Sequence, residues 1–547
     1  MSLTPLQTHY VRWHSLRLSQ VLQRFQRSHP EPDRTILGFL FAHHWLKREV
    51  HPVYRHQVAK ILDHPHLLHP MASTLLLQTE NRDDVHFINH ILEKLETITH
   101  HKPSSRDVLT RWQDLRLFAS PYKESVRRIG RQEKAILNDL GGENDQQRVA
   151  LVDSLAKDHP PPPPWDKIAL IVRMSCPQSC RHCLFIWRPS LKNTPDPEPL
   201  LQWINQSTTN LLFTGGDLSP DLDLFYHAIA TLEHITTFAI LLNADLARSR
   251  EAAESLFARA NHALQQRPAR VAKARVVLQI SFDEYHQEIL ANHRGELKER
   301  IPVSHIAHIL IASARYSDCQ VALIHKQHSL NFSTRLFETG IFARLRAELA
   351  THAWHIRDIH WQTSPRFKEH PVNPLQNGGV IREAHVLLRG PSDSTSFFFM
   401  SSCIDALGRA QLLDPAEYVR ETLLLRDWLD WSSPIPECDP FDTDPMVWVN
   451  GHVTLFGAIT LWMGNFYREG ERVFARFRQD PLIRALQQWD RRLLTAHQAF
   501  NPHGHQQLVK TASSPHHLLQ TMFQDSKARL FVTQWLIRHD TETSSTS

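Results

Sequence analysis

The chain has little cysteine, almost no excess charge and no long apolar run in its 547 residues. Six cysteines, three of them within eight positions, do not make a disulfide framework, and a reducing cytoplasm suits that usage. No stretch approaches the ~20 apolar residues of a membrane helix, so no membrane partner is expected. The early run Thr8-His9-Tyr10-Val11-Arg12-Trp13-His14 is polar and mixed, which is not a signal-peptide pattern. With 61 basic and 57 acidic residues the formal charge is only +4. That balance gives no reason to expect nucleic acid as a partner. No internal repeat is present.

What is there reads as an ordinary globular protein of more than one domain, 41% hydrophobic and 22% charged. Histidine is abundant at 37 copies, but these are scattered from His9 to His539, a compositional habit rather than a metal tract. Residues 1–158 carry apolar spacings of three and four, as in Val85-His86-Phe87-Ile88-Asn89-His90-Ile91-Leu92, and are expected to form a helical domain. A polyproline run, 160–164, is a stiff boundary.

Beyond it, short aliphatic runs alternate with longer amphipathic ones. Strands are expected at 168–172, 211–214, 237–242, 275–281, 320–324 and 356–362, with helices such as 252–264 and 303–314 between them. Six such units predict an α/β fold, a partial (β/α)6 TIM-like barrel over residues 165–375. Residues 376–540 read as an α+β extension. It holds a buried strand at Phe397-Phe398-Phe399-Met400, a hairpin about Asn450-Gly451, helices at 471–477 and 481–494, and a polar, disordered tail from Asp540.

Chemistry concentrates in Cys176-Pro177-Gln178-Ser179-Cys180-Arg181-His182-Cys183, directly after the first strand. Three thiolates leave one iron of a 4Fe-4S cluster without a protein ligand, free to be chelated by an amine and a carboxylate. Zinc is the competing reading. It prefers four closed ligands, for which His182, Cys403 and Cys438 are the available additions, and no second Cys-x-x-Cys pair is present.

The Cys-x3-Cys-x2-Cys spacing at the end of a first strand resembles the signature of the radical S-adenosylmethionine (SAM) superfamily. The resemblance covers about residues 165 to 370. It implies a cytoplasmic enzyme that cleaves SAM reductively at one 4Fe-4S cluster, on Cys176, Cys180 and Cys183. A 5′-deoxyadenosyl radical then abstracts hydrogen from a peptide or small-molecule substrate, and a flavodoxin- or ferredoxin-type donor supplies the electron. One departure is His182, which stands where the family usually has an aromatic residue and is expected beside the adenine.

Thr214-Gly215-Gly216-Asp217 stands where the family carries Gly-Gly-Glu for the SAM amino group, so Gly215, Gly216 and Asp217 are assigned to SAM. Val276-Val277-Leu278-Gln279-Ile280-Ser281-Phe282-Asp283-Glu284-Tyr285-His286 is similar to the fourth strand and its exit. Ser281 and Asp283 alternate onto one face and are assigned to SAM, although Asp283 is equally placed to cap the next helix. Asn243 and Lys326 follow the third and fifth strands as weaker candidates. The extension faintly resembles that of peptide-modifying members, through Trp448-Val449-Asn450-Gly451-His452-Val453 and Met463-Gly464-Asn465-Phe466, but lacks their cluster cysteines. It is expected to cover substrate. His86, His90 and Glu93 share a helix face, where histidines in a histidine-rich chain usually hold no metal. A reading from another class stays open: a non-catalytic scaffold, braced by zinc or iron–sulfur, that binds a partner.

Overall fold

Ile168 to Val172 are five consecutive apolar residues, a pattern that suits a strand covered on both faces. In the computed structural model all five are buried, in the middle of a large sheet. The structure describes residues 125–155, 165–191, 194–291, 297–326, 340–363, 381–413, 418, 420–430 and 441–545. The readings made on residues 1–124, on the polyproline run and on Cys438 lie outside them.

Two helices come first, α1 (125–138) and α2 (Glu143–Leu155). Then follow β1 (Ile168–Arg173), α3 (Glu198–Ser207), β2 (Asn210–Gly215), α4 (Leu222–Thr231), β3 (Thr237–Leu242), α5 (Arg250–Gln265) and β4 (Arg275–Ser281). A small antiparallel pair, β5 (Ile289–Ala291) and β6 (Leu297–Glu299), precedes α6 (Val303–Ser313), β7 (Cys319–Lys326) and α7 (Gly340–Thr351). Next are β8 (His355–Thr363), β9 (Ile381–Arg389), β10 (Ser394–Ser402) and α8 (Thr422–Leu429). Three short strands, β11 (Pro445–Trp448), β12 (His452–Leu455) and β13 (Gly464–Asn465), return to the sheet. The C-terminal helices are α9 (Arg472–Gln479), α10 (Pro481–Gln487), α11 (Arg492–Phe500), α12 (Pro502–Thr511), α13 (Pro515–Met522) and α14 (Ser526–Ser545).

The main sheet runs β13-β12-β11-β1-β2-β3-β4-β7-β10-β9-β8. Every neighbouring pair from β11 to β10 is parallel, and both ends finish in antiparallel pairs. This is an α/β protein with a largely parallel mixed sheet, as a partial barrel has, and a helical C-terminal region. Among the described residues no helix is long and apolar enough to cross a membrane.

Three expectations need correction. The place beside β7 belongs to β10, and the 356–362 segment forms β8 at the far antiparallel edge. β10 is buried on one face, through Phe397 and Phe399, and exposes Phe398 and Met400 on the other, whereas β8 exposes His355, Arg357, Asp358 and His360. The helix expected over 481–494 is two helices, α10 and α11. They part at Trp489, which takes φ +52° and accepts a hydrogen bond on its carbonyl from Trp428 Nε1 at 3.1 Å. The tail from Asp540, expected to be disordered, continues α14 to Ser545, with Asp540 tied to Arg492 at 2.6 Å.

Buried charge holds α2 to the C-terminal helices. Arg148 pairs with Asp480, both fully buried, and Arg529 makes two 2.9 Å bonds to Asp145. Arg476 reaches Asp153 at 2.8 Å.

Candidate active site

The C-terminal ends of the parallel strands open on one cavity of about 1450 Å³. Functional residues of barrel-type sheets gather at that end. Cys176, Cys180 and Cys183 line it from the loop after β1 and are free thiols, with Cys180 buried. Gly215 and Gly216 line it from β2, Asn243 from β3, Ser281 and Asp283 from β4, and Lys326 from β7. Cys403 follows β10, and its thiol lies against Glu421.

The glycine pair is where the exit of β2 presses on the cysteine loop. Gly215 has φ +135°, and a Cβ there would sit 2.1 Å from the Arg173 carbonyl oxygen. A Cβ on Gly216 would sit 2.2 Å from that of Ser175. Only glycine permits this approach. It is closed by Gly216 N–H donating to Arg173 O at 2.6 Å and Asp217 N–H to Ser175 O at 2.9 Å. Asp217 is not among the residues that line the cavity; its Oδ1 accepts from the Ser219 hydroxyl at 2.7 Å and its N–H at 3.2 Å, so this carboxylate shapes the following turn.

Asp283 does two things at once. Oδ1 accepts from the N–H groups of Tyr285 and His286 at 3.0 and 2.9 Å, which closes a turn; the helix it was expected to cap does not follow, since the chain runs on into β5. Oδ2 meets His286 Nδ1 at 2.9 Å and His182 Nε2 at 3.5 Å. Burial pushes His182 down to about 3, so it is neutral. Burial also opposes charge on His286, but the Asp283 carboxylate and the hydrogen bond to the Cys180 sulfur outweigh it and hold its pKa well above the usual value. The same interaction overcomes burial at Asp283 and keeps its carboxyl below the ordinary range. His182 stacks on Tyr285 at 4.7 Å and 23°. Elsewhere, Asn243 Oδ1 accepts from Asp245 N–H at 2.9 Å, and its buried Nδ2 has no partner among the described residues. Lys326 Nζ donates to Ser402 Oγ at 2.8 Å and Cys403 O at 3.2 Å.

Several groups that hold the cysteine loop carry no sequence signal. From α1, Glu133 Oε2 accepts from the N–H groups of Ile186 and Trp187, each at 2.7 Å. Burial raises its pKa, although those donors, Arg409 and Arg188 oppose the shift. On the other side Gly408, at φ +54°, lets the chain pass where a Cβ would lie 2.1 Å from Leu184 O, and Arg409 N–H donates to Cys183 O at 2.9 Å. Arg188 folds back onto Cys176 O at 2.6 Å and Cys183 Sγ at 3.3 Å. Burial raises the Cys176 thiol, and Arg188 works against that rise.

No protein-family model matches the chain, and no curated protein matches it. Among solved structures it is similar to the crystal structure of Streptococcus suis SuiB bound to precursor peptide SuiA. The TM-score is 0.21 and the identity 14%, covering 46% of this chain and 49% of that one. The chain therefore spans about half the length of that protein.

Proposed function

We propose that this chain is a radical SAM enzyme in which Cys176, Cys180 and Cys183 would hold a 4Fe-4S cluster. The observation that carries the reading is the meeting of three free thiols, a close-packed glycine pair and polar side chains from successive parallel strand ends at one cavity. Three thiolates suit a cluster that keeps one iron for an outside ligand. When bound, cluster and SAM together supply reductive carbon–sulfur cleavage and a radical able to take hydrogen from an organic substrate.

The chain's own residues bind, orient and exclude water. Gly215 and Gly216 let backbone approach the SAM amino group, and Asp217, the next residue, would be its acceptor through the oxygen that Ser219 does not use. Ser281 and the uncommitted amide of Asn243 offer hydrogen bonds to SAM. Asp283, kept ionised by His286, fixes His182 against Tyr285. Residues 165–375 are the SAM-binding unit in this reading, and 376–540 cover the substrate. Ile404, Leu413, Tyr418, Leu508 and Leu518 supply an apolar far wall to the cavity. Its volume exceeds the ~300–1,000 Å³ of ordinary ligand pockets, which leaves room for a peptide or small-molecule substrate beside SAM. A flavodoxin- or ferredoxin-type protein would donate the electron. α1 lines the cavity through Ile129, Glu133 and Ile136.

One observation favours a second reading, the metal-braced scaffold without catalysis. His182, Asp283 and His286 place ligand atoms within 4.8 Å of one another, beside the cysteines. Anaerobic reconstitution with iron and sulfide separates the two. A brown protein absorbing near ~400 nm, which converts SAM to 5′-deoxyadenosine once reduced, is the expected result. Stoichiometric zinc with no SAM cleavage overturns it.

A further inference from the structure

Arg188 is a half-buried cation placed against the cysteine loop, five residues beyond Cys183. Nη1 donates to Cys176 O at 2.6 Å and Gln178 O at 3.1 Å, while Nη2 reaches Gln178 O at 3.2 Å and Cys183 Sγ at 3.3 Å. Every one of those bonds falls on the loop between the first and third cysteines. No carboxylate lies within ion-pair distance of this guanidinium among the described residues. The nearby Glu133 is committed to the backbone of Ile186 and Trp187. An arginine guanidinium stays protonated in proteins, so the charge at this position is fixed.

Resting on the cluster reading above, we propose that Arg188 is a positioning residue that sets the cluster's reduction potential, raising it by presenting a fixed positive charge to the Cys183 sulfur. Reduction adds one electron, taken from an external one-electron donor, and makes the cluster more negative. A cation in direct contact with a ligand sulfur favours the reduced form, and hydrogen bonds to ligand sulfurs act in the same sense. Glutamine keeps hydrogen-bonding capacity and removes the charge. Lysine keeps the charge and loses the planar fork.

The test is an anaerobic redox titration of the full chain, with dithionite as reductant and the reduced cluster followed by electron paramagnetic resonance. Iron per chain is measured in parallel. Arg188→Gln is expected to lower the equilibrium constant for reduction at least tenfold, a fall of 59 mV for a one-electron couple. Arg188→Lys is expected to stay within a few-fold of the unmodified chain. An unchanged potential in Arg188→Gln overturns the proposal, and so does an equal fall in both variants. Loss of iron from both variants also overturns it, in favour of a role in loop structure alone. If the unmodified chain takes up no iron, the cluster reading itself fails, and that outcome is told apart by the control.

Discussion

Replacing Gly216 by alanine tests whether the exit of β2 and the cysteine loop depend on each other. The new Cβ would lie 2.2 Å from Ser175 O and 2.5 Å from Met174 O. Both are backbone atoms, so no side chain can swing away, and the strand exits must separate by roughly 1 Å to restore van der Waals contact. That separation strains the bonds from Gly216 N–H to Arg173 O and from Asp217 N–H to Ser175 O. Two hydrogen bonds at about 1 kcal/mol each, with about 1–3 kcal/mol for overpacking, give a loss of about 3–5 kcal/mol. Against the usual ~5–15 kcal/mol for a folded protein, the chain still folds. The displaced residues adjoin Cys176, so reconstituted Gly216→Ala is expected to hold well under half the iron of the unmodified chain. Its urea midpoint should fall as well. Gly470→Ala is the control, because φ there is +62° and nothing lies within 4 Å of the Cβ position. It should cost about 1–3 kcal/mol in backbone strain and leave iron uptake alone. Full iron and an unchanged midpoint in Gly216→Ala refute the reasoning.

Two further outcomes concern stability. Arg148→Met leaves the fully buried Asp480 carboxylate without its partner and is expected to cost about 3–5 kcal/mol by denaturant unfolding. Adding Asp480→Asn, which keeps an acceptor for Leu482 N–H, should recover part of it; no recovery contradicts the pairing. Asp444 is pushed up from 3.8 to about 6, by burial first and Asp442 second. A carboxyl with a raised folded pKa binds its proton more tightly in the folded chain. Its contribution is therefore best below about 4 and is lost as pH rises to about 6. Asp444→Asn should remove that decline, a gain of at most about 3 kcal/mol at neutral pH. Unfolding curves from pH 4 to 7 that stay parallel for the two proteins contradict it.

Much of the sheet is legible because burial on both faces leaves a mark in sequence. Ile168 to Val172 is apolar throughout, and β2, β3 and β4 each carry an aliphatic run. The Asn450-Gly451 turn joins β11 and β12 as its composition predicts. The order of the sheet beyond β7 is not legible in the same way, since β8 and β10 are both nine-residue strands and only pairing decides which lies inside. The break at Trp489 comes from packing against Trp428, a tertiary contact that helical periodicity does not encode. At the site, the cysteine spacing and the glycine pair are visible because few residue types can replace them. Glu133, Arg188 and Gly408 are not, because they act by touching the backbone of a distant loop, and such contacts leave no motif. The reciprocal hold of Asp283 on His182 and His286 likewise follows from the turn at 283–286 rather than from any pattern in the residues.

The central claim is that Cys176, Cys180 and Cys183, and no other cysteine, start the chemistry. The most direct measurement is 5′-deoxyadenosine formed from SAM by the reconstituted, reduced chain and by single Cys→Ala variants, with iron counted in each. The account predicts that Cys176→Ala, Cys180→Ala and Cys183→Ala each lose SAM cleavage, while Cys438→Ala keeps both iron and cleavage. Loss of the cluster in Cys438→Ala, or SAM cleavage surviving in any of the other three, would contradict it.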